Sequence, residues 1–169
     1  MYIADKVYSL QSKSYEVYLN GCKPKFINGR YQHCPGCHNS HLFNFLEADN
    51  REEEYKKIKS TISFFDSMIE FIWILGGEPL DQKEDELKDL ISFLKQFNKT
   101  IILFTGYDIS KYKEFNYDVD YVKYGYFDYK NKNKIYFPEL KLELIGDNQR
   151  VYDVKNDVEL IFIEKEKED

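Results

Sequence analysis

The feature that most constrains the fold is a nearly continuous apolar run at residues 69–75 (IEFIWIL). Such a run is typical of a strand whose two faces are both buried in a parallel sheet. Residues 82–97 carry apolar side chains at helical spacing, which predicts an amphipathic helix capped by Asp81 and Glu84 in a capping box. Residues 99–104 predict the next buried strand. The alternation indicates an α/β fold with a mostly parallel sheet and crossover helices.

Weaker patterns complete the predicted order of elements. Helices are expected at residues 51–68 and 108–115, the second with Asp108 as its cap. Further strands are expected at residues 15–20, 119–124, 141–145 and 158–163. The chain of 169 residues suits a single domain, 1–169, whose acidic tail at about residues 164–169 is expected to fray.

Charge and hydropathy argue against two classes of partner. The net charge of −6 argues against nucleic acid, because binding to phosphates requires a basic face. No run of 18 apolar residues is present, so no membrane span is predicted, and residues 1–13 contain no apolar signal core. The sequence therefore predicts a cytoplasmic protein that binds neither nucleic acid nor a membrane.

The three cysteines lie in one irregular segment, which indicates metal binding in a reducing compartment. Cys34 and Cys37 form a Cys-Pro-Gly-Cys step, and Cys22 lies twelve residues upstream of Cys34. Three thiolates suit a [4Fe–4S] cluster with one iron open to an exogenous ligand. The spacing also suits a structural Cys3His zinc site, or cysteines that bind no metal. The candidate fourth zinc ligands are His33, His38 and His41.

The eleven residues between Cys22 and Cys34 contain a strong turn signal. Asn28-Gly29 is typical of a type I′ hairpin turn, and a hairpin centred there pairs Lys25 with Gln32. The base of this hairpin brings Cys22 and Cys34 together, so the long gap is compatible with a shared cluster. Lengthening a flexible loop from about three to about eleven residues costs only roughly 1 kcal/mol.

Three unusual loops each follow a predicted strand. They are Gly21-Cys22, Gly76-Gly77-Glu78 and Thr105-Gly106-Tyr107. Because ligands bind at the carboxyl ends of strands in parallel sheets, we expect the three loops to meet at one edge and form a site.

Several of these segments together resemble one enzyme family. NGC (20–22), HCPGCHN (33–39), LGGEPL (75–80) and FTGYDIS (104–110) are similar to the anaerobic ribonucleotide reductase activating proteins, which are small radical S-adenosylmethionine (SAM) enzymes. VDYVKYGYF (119–127) and GDNQR (146–150) add support, and the resemblance runs from about residue 16 to 152. It implies a partial (β/α) barrel of the radical SAM type.

The resemblance also implies the cofactors, the site residues and the partners. The cluster ligands, and so the catalytic residues, would be Cys22, Cys34 and Cys37. The residues expected along SAM are Gly36, Cys37, His38 and Asn39. Its amino group would be received by Gly76, Gly77 and Glu78, and the pocket would be walled by Thr105, Gly106 and Tyr107. An electron from a donor such as flavodoxin or ferredoxin would cleave SAM, and the resulting radical would take a hydrogen from a glycine of the large anaerobic reductase subunit.

The sequence departs from this family in three places. The gap of eleven residues after Cys22 is longer than usual, which predicts a hairpin insertion at about residues 23–33. Residues 9–14 (SLQSKS) replace a Gly-Pro-Gly-x-Arg segment, and Tyr124 stands where the family often has Asp. The cations of the insertion, Lys23, Lys25 and Arg30, could meet an acidic surface of a partner, but they are expected to be solvated.

Two other functions fit the sequence. The first keeps radical SAM chemistry but acts on a small molecule, as in 7-carboxy-7-deazaguanine synthase. The second is a non-catalytic Cys3His zinc-binding module. The presence of GDNQR and TGY favours the activating protein over the small-molecule enzyme.

Overall fold

The computed structural model describes residues 1–130 and 134–161. The strands are β1 Ile3–Ser9, β2 Ser14–Leu19, β3 Lys25–Ile27, β4 Arg30–Gln32, β5 Phe71–Gly76, β6 Thr100–Phe104, β7 Tyr121–Tyr124, β8 Lys134–Phe137, β9 Leu142–Ile145, β10 Arg150–Asp153 and β11 Val158–Glu159. The helices are α1 Arg51–Phe64, α2 Glu84–Lys95 and α3 Ile109–Lys113. Short 3-10 helices lie at Ser40–Leu42, Asp66–Met68, Pro79–Asp81 and Pro138–Leu140.

Seven strands form one mixed sheet in the order β1-β2-β5-β6-β7-β10-β11. The central strands β2, β5, β6 and β7 are parallel, as predicted, because a helix connects each to the next. β1, β10 and β11 pair antiparallel at the two sides. The turn between β1 and β2 is too short for a crossover, which explains the antiparallel pairing there. The fold is therefore mixed α/β.

The apolar run in β5 is explained by the two cores that the sheet separates. Ile72 and Ile74 face one core, where they pack with α1 and α2, while Phe71 and Trp73 face a second core covered by β8 and β9. Successive side chains of a strand point to opposite faces, so a strand between two cores is apolar throughout. Each fully buried aliphatic side chain contributes roughly 2 kcal/mol.

The buried faces of the helices largely match the prediction. Ile58 and Ile62 of α1 are fully buried. The buried residues of α2 are Leu87, Leu90, Ile91 and Leu94, and Phe97 is partly buried beyond its end. The helix predicted to reach residue 68 instead ends at Phe64, and a 3-10 turn follows.

The predicted capping box at the start of α2 is wrong. Pro79 begins a 3-10 turn that includes Asp81, so α2 starts later, with Lys83 at its N-cap and no side-chain cap. The Asp81 carboxylate instead accepts hydrogen bonds from the backbone N–H of Lys23 and the hydroxyl of Tyr107, each at 2.7 Å. The expected cap of α3 is confirmed, since Asp108 accepts from the N–H of Ser110 at 3.0 Å.

The carboxyl-terminal region differs from the prediction in extent. The strand expected at 158–163 is observed as Val158–Glu159, and residues 162–163 and the tail at 164–169 lie outside the described residues. In the described parts of the chain, each helix is too short or too polar to cross a bilayer.

Candidate metal centre

The three predicted loops meet at the carboxyl ends of β2, β5 and β6. They border one cavity of about 310 Å³, and Cys22, Cys34 and Cys37 all line it. The other predicted residues in its lining are His38, Asn39, Gly76, Gly77, Glu78, Thr105 and Gly106. Gly36 and Tyr107 lie outside the lining.

Cys22 is held in place by the backbone on both sides of it. Gly21 and Cys22 donate hydrogen bonds to the carbonyls of Leu42 and Phe43, at 2.8 and 3.0 Å. On the other side, the N–H of Glu78 donates to the carbonyl of Gly21 at 2.7 Å. The loop after β2 is therefore fixed directly to the loop after β5.

The hairpin between Cys22 and Cys34 forms with the predicted pairing. Lys25 lies opposite Gln32, and both residues of Asn28-Gly29 have positive φ, as a type I′ turn requires. The chain thus leaves the cavity edge after Cys22 and returns to it at Cys34.

A tight turn sets the spacing of the other two cysteines. The N–H of Cys37 donates to the carbonyl of Cys34 at 3.2 Å. Pro35 occupies the second position and Gly36, with φ of +70°, the third, which is the pattern of a type II turn. A Cβ on Gly36 would lie 2.8 Å from the Tyr129 side chain, so Gly36 serves the turn and its packing.

The three thiols line one cavity but do not converge on a single point. All three cysteines are free thiols. Within residues 1–130 and 134–161, no three His, Cys, Asp or Glu side chains are close enough to bind one metal ion. A cluster binds each thiolate to a different iron, so its ligands stand around a cavity. Burial raises the pKa of Cys22 from 9.0 to about 11 and also raises the pKa of Cys34.

Lys25 reaches into this cavity, and the expectation that it is solvated is wrong. Its side chain is only 6% exposed, and its Nζ lies 3.3 Å from Cys22 Sγ and 3.1 Å from Glu78 Oε2. Burial lowers the pKa of Lys25, but the Glu78 carboxylate and Cys22 raise it more, so the pKa lies above its ordinary value. The alternation of side chains along a strand could have predicted the burial of Lys25, because Lys25 shares a face of β3 with the buried Ile27.

Glu78 connects the loops that follow β2, β5 and β6. Its carboxylate accepts hydrogen bonds from the N–H groups of Gly106 and Leu80, at 2.8 and 3.1 Å, in addition to the ion pair with Lys25. Burial raises its pKa, and Lys25 and these donors oppose the shift. The carboxylate predicted to receive the SAM amino group thus holds the ammonium group of Lys25 in this structure.

The remaining predicted residues have separate roles. The Asn39 amide donates to the carbonyl of Gly76 at 3.4 Å, which links the segment after the Cys34–Cys37 turn to the loop after β5. The His38 ring lies 4.9 Å from that of Phe127. Tyr107 lies behind Lys25, with its ring centroid 4.5 Å from the Lys25 Nζ.

A second lysine in the cavity was not predicted. Lys123 of β7 lines the cavity, and its Nζ lies 5.3 Å from the centroid of the Phe104 ring. Burial lowers its pKa to about 8. Among the described residues, no carboxylate forms an ion pair with Lys123. Its neighbour Tyr124, which stands at the Asp position of the resembling family, instead donates its hydroxyl to Glu159.

Comparison with known proteins assigns this cavity to a family. A family model described as a 4Fe-4S single cluster domain matches residues 16–143, which include all three cysteines and the loops around them. The chain belongs to the 4Fe-4S single cluster domain family. It is thus an iron–sulfur protein, and three free thiols around one cavity form a suitable donor set for the cluster. Searches of curated proteins and of solved structures returned no match.

Proposed function

We propose that this member of the 4Fe-4S single cluster domain family is a radical SAM enzyme with the partial (β/α) barrel of that class. The observation that carries the proposal is the placement of three thiols, those of Cys22, Cys34 and Cys37, around one cavity beside the Gly76-Gly77-Glu78 loop. Three cysteines leave one iron of a cubane without a protein ligand, whereas electron-transfer clusters usually have four. An open iron beside a cavity suits a bound SAM.

The charges in the cavity support SAM as the ligand. When bound, the cluster and SAM supply one-electron cleavage of a carbon–sulfur bond and a carbon radical. The chain offers a carboxylate, Glu78, for the SAM ammonium and, for the SAM carboxylate, the cation of Lys123, which pairs with no carboxylate of residues 1–130 and 134–161. Binding to Glu78 requires SAM to share it with Lys25 or to displace Lys25.

We further propose that the substrate is a glycine of a large anaerobic ribonucleotide reductase subunit. The GDNQR segment favours this substrate, and its Gln149 is buried, lines the cavity and accepts a hydrogen bond from the N–H of Ile145 at 2.8 Å. A motif shared with activating proteins therefore borders the same site. Flavodoxin or ferredoxin would supply the electron.

The test is iron and sulfide analysis of anaerobically prepared protein, followed by SAM cleavage with and without the reductase. We expect about four irons per chain. Cys34→Ala and Cys37→Ala should abolish SAM cleavage, whereas His41→Ala, outside the cavity, should retain it.

Three outcomes would contradict the proposal in different ways. SAM cleavage that survives Cys34→Ala or Cys37→Ala would refute the site. A colourless protein with zinc and no iron would indicate the zinc-binding module. Turnover of a pterin-like substrate, without a glycyl radical on the reductase, would indicate the small-molecule enzyme instead.

A further inference from the structure

The hairpin places one cation inside the cavity and leaves its neighbours outside. In β3, Lys25 and Ile27 are buried, while Phe26 between them is 67% exposed. Lys23, two residues before Lys25, is also exposed. Because strand side chains alternate, the pairing of β3 with β4 determines that Lys25 points inward.

Several contacts fix the position of the Lys25 ammonium group. Its Nζ donates to Cys22 Sγ at 3.3 Å and pairs with Glu78 Oε2 at 3.1 Å. The ring of Tyr107 lies on a further side, 4.5 Å away. The aliphatic stem passes so close to Gly106 that a Cβ there would lie 3.1 Å from Lys25 Cε.

A cation at this place acts on the charge of a bound cluster. Reduction adds one electron, taken from a donor of the flavodoxin or ferredoxin class, and makes the cluster and its thiolates more negative. Positive charge and hydrogen bonds to the sulfurs favour that form and raise the reduction potential. Glu78 opposes the effect, but Lys25 is the group that donates directly to the sulfur.

We propose that Lys25 is a positioning residue for the cluster: through its contact with Cys22 Sγ, it raises the reduction potential and so makes the cluster easier to reduce. The inference rests on the cluster of the proposed function, but it requires neither SAM nor a glycine substrate. It also gives the hairpin a role in the chemistry of the site.

The test is an anaerobic redox titration of the cluster-loaded protein, followed by electron paramagnetic resonance of the reduced cluster. In Lys25→Met, the ratio of reduced to oxidised cluster at the wild-type midpoint should fall at least tenfold, which is 59 mV for a one-electron couple. Lys23→Met removes the same charge from an exposed position on the same segment. Water screens that charge, so the ratio should change less than twofold.

A second variant covers the case in which Lys25→Met does not load iron because Glu78 is left buried without its cation. In the double variant Lys25→Gln with Glu78→Gln, no carboxylate is left unpaired, and the midpoint should still lie below that of the wild type. A midpoint at or above the wild type would overturn the inference.

The outcomes separate this inference from the proposed function. Wild-type protein without iron and without a cluster signal would overturn both. Wild-type protein with a cluster, and with equal midpoints in Lys25→Met and Lys23→Met, would overturn only the role of Lys25.

Discussion

The contact between the loops after β2 and β5 makes Gly77→Ala a sharp test of the site. A Cβ on Gly77 would lie 2.3 Å from the carbonyl oxygen and 2.8 Å from the carbonyl carbon of Gly21. Real Cβ contacts essentially never fall below 3.0 Å, so the two loops must separate by at least 0.7 Å. Gly77 has no positive φ, so the effect of alanine is purely steric.

The expected cost follows from this separation. The N–H of Glu78 donates to the same Gly21 carbonyl at 2.7 Å, and a shift of about 0.7 Å would lengthen this hydrogen bond to about 3.4 Å, beyond the usual limit of about 3.2 Å. Overpacking costs about 1–3 kcal/mol and the lost hydrogen bond about 1 kcal/mol more. Alanine also restricts the unfolded chain, which raises the free energy of unfolding by about 0.4–1 kcal/mol. We therefore expect the free energy of unfolding to fall by about 1–4 kcal/mol.

Urea unfolding of the metal-free protein measures this change, and Gly106→Ala is the matched control. Gly106 lies in the neighbouring loop without positive φ, and a Cβ there would lie 3.1 and 3.4 Å from Cε and Cδ of Lys25 and 3.5 Å from Glu78 Oε2, so no contact would fall below 3.0 Å. Its substitution should cost less than about 1 kcal/mol. Equal costs for the two variants, or no cost for Gly77→Ala, would refute the close contact between the loops.

Two further predictions concern the charges of the cavity. Lys123→Met should weaken SAM binding by about tenfold or more, because a charge-assisted contact contributes about 1.5–3 kcal/mol. Lys130→Met, on the exposed surface, should leave SAM binding unchanged. Equilibrium dialysis of SAM against the cluster-loaded protein measures both. Burial raises the pKa of Cys22 to about 11, so above pH 9 the folded protein retains a proton that the unfolded chain releases, and stability falls as pH rises. Urea unfolding at pH 8 and 10 should show a loss about 1 kcal/mol larger in the metal-free wild type than in Cys22→Ala, and equal losses would contradict the burial of this thiol.

The sequence predicted the central strands because they are buried on both faces. The apolar runs that form β5 and β6 indicated buried strands directly. β1, β8 and β10 were missed. β1 lies at the edge of the sheet and its apolar residues are interrupted by Asp5 and Lys6, while β10 begins at Arg150, the last residue of the GDNQR segment.

The site was predictable where residue type alone defines the role. Cysteines and glycines at strand ends fall into this group, and the structure brings the loops of Cys22, Gly77 and Gly106 to one cavity. The two lysines were not predictable from type, because lysine is usually solvated. Lys25 points into the cavity because side chains alternate along β3, and Lys123 lines the cavity because β7 lies inside the sheet. Both positions therefore depend on tertiary packing.

Because β3 and β4 form a hairpin, the number of residues between Cys22 and Cys34 does not determine how far apart the two cysteines lie in space. An antiparallel ladder can gain or lose one residue on each strand at its tip, while its two ends stay together. Relatives with two residues more or fewer in this segment should therefore keep the same arrangement of sulfur atoms and an inward residue at the Lys25 position. A search that demands fixed cysteine spacing would overlook them, whereas one that allows even-numbered changes around an Asn-Gly turn would find them.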